Sequence, residues 1–108
     1  MAKLRKRKLH NLENNLMLFH TGIFRTAENI SKKYIKDLRK NERYLINIYD
    51  LVFEALKLIR SGQNDLLGRL LDETWNLKRQ MSNHITNFVI DDIYKTGLSN
   101  GAYGGKLL

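Results

Sequence analysis

At 108 residues the chain is long enough for one small domain with one modest core, and its 43% hydrophobic and 28% charged content is that of a soluble globular protein rather than a disordered one. The absence of cysteine excludes a disulfide framework and thiolate metal sites, and no apolar run approaches the roughly 20 residues that span a bilayer. A formal net charge of +8 is weighted toward the N-terminus, where Lys3, Arg5, Lys6, Arg7 and Lys8 precede any acid. No apolar stretch and small-residue cleavage site follow to make a signal peptide, so a cytoplasmic location is expected.

Proline is absent, so long helices are permitted, and Asn and Gly do the punctuation. Residues 9–15 predict a short helical turn. Residues 16–22, LMLFHTG, form a short apolar run closed by glycine and predict a buried strand, with helix as the competing reading at this length. Across residues 23–40 the apolar positions Ile23, Ala27, Ile30, Tyr34 and Leu38 make one helical stripe. The opposite face carries Lys32, Lys33, Lys36, Arg39 and Lys40 and reads as solvated.

Asn41 is placed to cap a second helix running to residue 60, with Leu45, Ile48, Val52, Ala55, Leu56 and Ile59 as its stripe. Ile46, Tyr49, Phe53 and Leu58 fall outside that stripe. A helix apolar on more than one side is central to a bundle or covered by something else. A third helix is predicted from Asn64 or Asp65 to residue 81, and a fourth, capped by Asn87, runs to Leu98 and ends at Asn100-Gly101. The tail, GAYGGKLL, ends as the start of an apolar strand. The expected fold is mainly α, a fragment of an α+β domain: about four helices with a short strand near each end. It forms a single partial domain over residues 1–108, of which 1–11 are a basic N-terminal segment.

Most site chemistries are absent from these residues. His10, His20 and His84 have no second ligand at metal spacing, and the adjacent carboxylates Asp91 and Asp92 point about 100° apart on a helix. There is no nucleophile elbow and no complete P-loop. Three segments remain. At the junction of the 16–22 run with the following helix, Thr21, Gly22 and Arg25 are placed to meet a phosphate or a sugar hydroxyl, or else to form a tight turn with a surface arginine. Trp75 and Lys78 share a helix face, lining a pocket or packing ring on stem. Gly104 and Gly105, before Lys106, permit a close backbone approach to a ligand.

Taken in order, these segments resemble one family. LMLFHTG followed by IFRTA is similar to a strand-turn-helix in the C-terminal domain of the GHMP kinases, and within that family to the heptose 7-phosphate kinases. LLDETWNLKRQMSNHITNFVIDDIY resembles their long helix, loop and following helix, and GAYGGKLL resembles the approach to their last glycine-rich motif. The resemblance covers residues 12–108. It implies ATP-dependent phosphoryl transfer to a sugar with Mg²⁺ in the intact enzyme, and catalysis by positioning and charge stabilisation. It also implies that the phosphate loop and catalytic acid lie in an N-terminal domain that these residues do not resemble. On this basis no catalytic residue, and no ATP or Mg²⁺ binding by the chain alone, is expected. Thr21, Gly22, Arg25, Trp75 and Lys78 are implied on the sugar-phosphate side, with Arg25 facing the substrate phosphate. Gly104, Gly105 and Lys106 are implied to support the glycine-rich turn at the nucleotide.

The expected partners are the missing kinase N-terminal domain or a second copy of the chain. The alternative is a stand-alone basic helical module that holds nucleic acid or another acidic partner through Lys3–Lys8 and the face around Lys33 and Lys36. No aromatic residues interleave with the N-terminal basic run to stack on bases, which weighs against nucleic acid.

Overall fold

In the computed structural model, residues 4–108 are described, apart from the side chains of Lys33 and Tyr34. Lys3 of the basic run and the two helix-face positions Lys33 and Tyr34 therefore lie outside the described residues. Five helices follow one another: α1 (Lys6–Asn14), α2 (Ala27–Ile35), α3 (Leu38–Ser61), α4 (Asn64–Gln80) and α5 (Phe88–Ser99). No helix among them is long and apolar enough to cross a membrane.

The hairpin of α3 and α4 is the frame. Gly62 adopts φ +78, which a β-carbon disfavours, and turns the chain after α3. Its N–H donates to the Ile59 carbonyl at 3.3 Å and that of Gln63 to Leu58 at 3.0 Å, the paired bonds of a Schellman closure. Leu58, Leu67 and Leu70 are buried together beside this turn. Trp75, Met81, Ile85 and Ile90 form a second cluster toward the far end of α4, with Ile23, Tyr94 and Leu107 packed against it. Asn87 caps α5 as its position predicts, accepting from the Ile90 N–H at 3.0 Å.

Four expectations are corrected. No strand is present among the described residues, so the short strand near each end, and with it the α+β assignment, is replaced by an all-helical architecture. In the 16–22 run, Met17, Leu18 and Phe19 are 83%, 87% and 70% exposed rather than buried. The tail lies along α4 instead of pairing with them. Apolar content marks the run for burial, but a strand also needs a ladder partner facing it, and none is in place.

The single helix expected over residues 23–40 is two. α2 ends at Ile35, and α3 begins at Leu38 after a turn, before Asn41. Asn41 is therefore not a cap. It is buried inside the first turns of α3, where its side-chain amide donates to the Met81 carbonyl at 3.1 Å. The turn expected at residues 9–15 is a full helix starting at Lys6, and it has no buried residue.

Candidate functional site: a cationic cluster under a glycine strap

Arg25 lies in the irregular segment that leads into α2, and its guanidinium reaches across to the turn between α4 and α5. Nη2 donates to the Ile85 carbonyl at 2.6 Å and to that of His84 at 3.2 Å. Nη1 is buried and has no protein acceptor. Two carbonyl bonds hold the fork in place and leave one end of it unused.

Lys78 is half-buried on α4. Its ammonium is held below the usual value of 10.5, first by burial, then by the positive charges of Lys106 and Arg25. All three of these influences act against its charge, and Lys78 is in none of the ion pairs among the described residues. Trp75, one turn earlier on the same helix face, is 1% exposed. Its ring lies 6.2 Å from that of Tyr94, and its Nε1–H is buried without an acceptor.

Lys106 arrives on the C-terminal tail, which crosses α4 at a place where only glycine fits. A β-carbon on Gly104 would lie 2.1 Å from the Gly68 carbonyl oxygen and 2.8 Å from the Asp72 nitrogen. One on Gly68 would lie 2.7 Å from the Tyr103 β-carbon. The tail therefore touches the helix backbone itself. The Arg69 guanidinium sits 5.2 Å from the centre of the Tyr103 ring, on the same crossing. The Tyr94 hydroxyl donates to Asp72 Oδ1 at 2.5 Å, and the Tyr94 ring lies beside Gly105, where a β-carbon would stand 3.7 Å from Cε2.

The predicted residues thus fall into two groups. Arg25, Trp75, Lys78, Gly104, Gly105 and Lys106 converge on one side of α4. Thr21 and Gly22 belong to the approach. The Thr21 hydroxyl oxygen accepts from the Ile23 N–H at 3.2 Å, and Gly22, at φ +71, turns the chain with open space around it. Sequence reasoning missed Gly68, Asp72 and Tyr94. The available signal was a glycine inside α4 at odds with its helical neighbours, together with a glycine pair in the tail, which mark two backbones in contact.

Chemically the cluster offers donors and positive charge. Arg25 Nη1 and Trp75 Nε1 are unsatisfied donors, and Lys78 and Lys106 add two ammoniums. Such a set suits an anion and repels a metal ion. Among the described residues no group of three or more His, Cys, Asp or Glu could hold a metal. An open cavity of about 490 Å³ lies elsewhere, between α4 and the following turn, lined by Asn76, Arg79 and Thr86 among others. Its arginine is already paired with Asp91 at 3.0 Å, so the uncompensated charge lies with Lys78.

The chain is similar to a sugar kinase. Over 98 residues it is 29% identical to D-glycero-alpha-D-manno-heptose 7-phosphate kinase from Campylobacter jejuni subsp. jejuni serotype O:2. That alignment covers 88% of the chain but only 29% of the relative's length, so the likeness is to one part of a much longer protein. No family model and no solved structure matches the chain. The relationship is kinase-related.

Proposed function

We propose that the chain acts as the sugar-phosphate-holding part of a GHMP-type sugar kinase, of heptose-phosphate kinase character, and that it is not catalytically complete alone. The observation that carries this reading is the Arg25 guanidinium, fixed by two carbonyl bonds with a buried Nη1 that has no acceptor; the depressed Lys78 ammonium, which feels the charges of Arg25 and Lys106, agrees with it. A phosphorylated sugar supplies the missing acceptor oxygens. The Arg25 fork, already fixed by Ile85 and His84, presents its free Nη1–H without further loss of side-chain freedom. The ammoniums of Lys78 and Lys106 add point charge around the same group.

In this reading ATP and Mg²⁺ belong to the rest of the kinase, because the donor set here fits an anion rather than a metal. The chain positions a substrate phosphate, and phosphoryl transfer occurs at a distant hydroxyl presented to the other part. The exposed apolar stripe of α3, Ile46, Tyr49, Phe53 and Leu56, is the surface against which a kinase N-terminal domain would pack, with a second copy of the chain as the other candidate.

Titration with a heptose 7-phosphate, the unphosphorylated heptose and inorganic phosphate, followed by amide and lysine resonances, tests the proposal. The phosphorylated sugar is expected to bind with shifts centred on Arg25 and Lys78, inorganic phosphate more weakly, and the free sugar not at all. Absence of binding by both phosphates at low ionic strength would overturn it.

A further inference from the structure

The outer face of α3 carries a pattern that a sugar-phosphate site does not use. Glu42, Ile46, Tyr49, Phe53, Leu56 and Arg60 follow one another at alternating steps of four and three residues, and all six are exposed. That spacing keeps a seam of side chains facing one partner helix along its whole length. The apolar residues occupy the middle and the charges the two ends. Tyr49 and Phe53 form the centre, edge to face with ring centres 5.2 Å apart.

The seam reads alike in both directions. Each member has a counterpart equally far on the other side of Leu51: Tyr49 with Phe53, Ile46 with Leu56, Glu42 with Arg60. A second copy lying antiparallel therefore sets aromatic on aromatic, aliphatic on aliphatic and acid on base, each of them twice. A parallel copy sets Glu42 on Glu42 and Arg60 on Arg60, a like-charge contact at both ends. Neither Glu42 nor Arg60 is in an ion pair among the described residues.

The surface is also shaped for such a partner. An open groove of about 610 Å³ at the N-terminal end of the seam is lined by Glu42, Leu45, Ile46 and Tyr49, with Leu38 and Arg39 beyond them. The first four have the spacing of the hole that receives one knob of a facing helix. In the antiparallel register that knob is Leu56 of the second copy.

We propose that the outer stripe of α3 is a self-complementary dimer face. Two copies pack antiparallel about Leu51, with Leu56 of each in the groove beside Ile46 of the other, and Glu42–Arg60 pairs close both ends. For the 108-residue chain this assigns the face to a second copy rather than to a kinase N-terminal domain. None of the seam residues belongs to the Arg25–Lys78 cluster, so the phosphate site stands or falls separately. The contact is small and its rim imperfect. Arg43 meets Lys57, which is already held by Glu54 at 3.5 Å, and the two Asp50 carboxylates face each other. A weak dimer, forming at micromolar chain concentration, is expected.

Sedimentation velocity of the intact chain across a range of micromolar concentrations tests it. The parent is expected to pass from monomer to dimer. Tyr49→Ser together with Phe53→Ser should abolish the dimer and leave far-ultraviolet dichroism unchanged. Glu42→Arg alone and Arg60→Glu alone should each weaken it severalfold, up to about tenfold. The chain carrying both charge exchanges should recover the parent's affinity, because each pair is restored with its signs reversed. Within one helix these two residues are about 27 Å apart, so only a contact between copies produces that rescue. A chain that stays monomeric throughout would overturn the proposal, and loss of its apolar-dye binding on adding the rest of a heptose 7-phosphate kinase would give the face to that domain. A dimer indifferent to Tyr49→Ser with Phe53→Ser, or single charge variants that weaken it without rescue by the pair, would overturn it equally.

Discussion

The side-chain amide of Asn41 donates to the Met81 carbonyl at 3.1 Å, joining the first turns of α3 to the residue that ends α4. The two residues are 40 positions apart, and Asn41 is 1% exposed. Its substitution by alanine would leave that carbonyl without its donor and a gap where the amide sat. Removing one partner of a buried hydrogen bond costs about 1–3 kcal/mol. Asn41→Ala is expected to lower the unfolding free energy by that amount in urea, with an unchanged slope. A loss well below 0.5 kcal/mol would show that the bond to Met81 does not hold the hairpin together.

Gly104→Ala tests the strap. Its β-carbon would meet backbone atoms of α4 at 2.1 and 2.8 Å, and a helix backbone cannot give way as the end of a side chain can. The tail must lift instead. The expected outcome is a stability loss of about 1–3 kcal/mol, typical of overpacking, together with phosphate binding no stronger than that of Lys106→Ala. The same substitution at Gly97, where nothing lies within 4 Å, is the control and should be neutral or slightly stabilising in its helix.

Lys78 gives a pH-dependent prediction with a definite sign. Its folded pKa is depressed below the unfolded value, so the native state binds fewer protons than the unfolded one in the window just below 10.5. Stability contributed by this residue therefore rises with pH through that window, and below it the buried charge is a standing cost. Lys78→Met should be more stable than the parent at neutral pH and should flatten the alkaline rise. It should also bind phosphate more weakly. A less stable Lys78→Met at pH 7, in denaturant titrations matched for ionic strength, would contradict the uncompensated-charge description of the site.

The outer stripe of α3 should behave as a binding surface for apolar probes. Ile46, Tyr49 and Phe53 are each more than half exposed, and Leu56 is 42% exposed. Replacing Tyr49 and Phe53 together with Lys and Glu is expected to reduce the fluorescence of a bound naphthalene-sulfonate dye severalfold. Far-ultraviolet dichroism should stay unchanged, since exposed helix positions usually move stability by no more than about 0.5 kcal/mol. Undiminished dye binding would locate the accessible apolar surface elsewhere, with Leu18 and Phe19 next in line.

How much of this was legible in the sequence depended on how local the cause was. Asn87 caps α5 through a bond to a residue three positions on, and that signal is complete within the sequence. Asn41 carries the same local signal and does something else, because α3 begins three residues earlier, at Leu38, and its side-chain amide is taken inside the helix to the Met81 carbonyl, 40 residues away. The 16–22 run reads as a strand because residue type reports a wish for burial, while a strand also requires a partner that no local pattern encodes. Within the cluster, Trp75 and Lys78 could be placed on one helix face by spacing alone. Their meeting with Arg25 and Lys106 could not, since it depends on a tail whose path is set by the absence of side chains at Gly68 and Gly104.

The position of Trp75 has a practical consequence. It is the only tryptophan in the chain, it is 1% exposed, and it lies one turn from Lys78. Its emission is therefore an intrinsic optical signal that reports two events in one molecule. Solvent entry at the core would red-shift it, whereas neutralisation of the nearby ammoniums by a bound anion would change its intensity with the indole still dry. Unfolding and ligation can thus be followed separately in the unlabelled protein, by wavelength for the first and by quantum yield for the second.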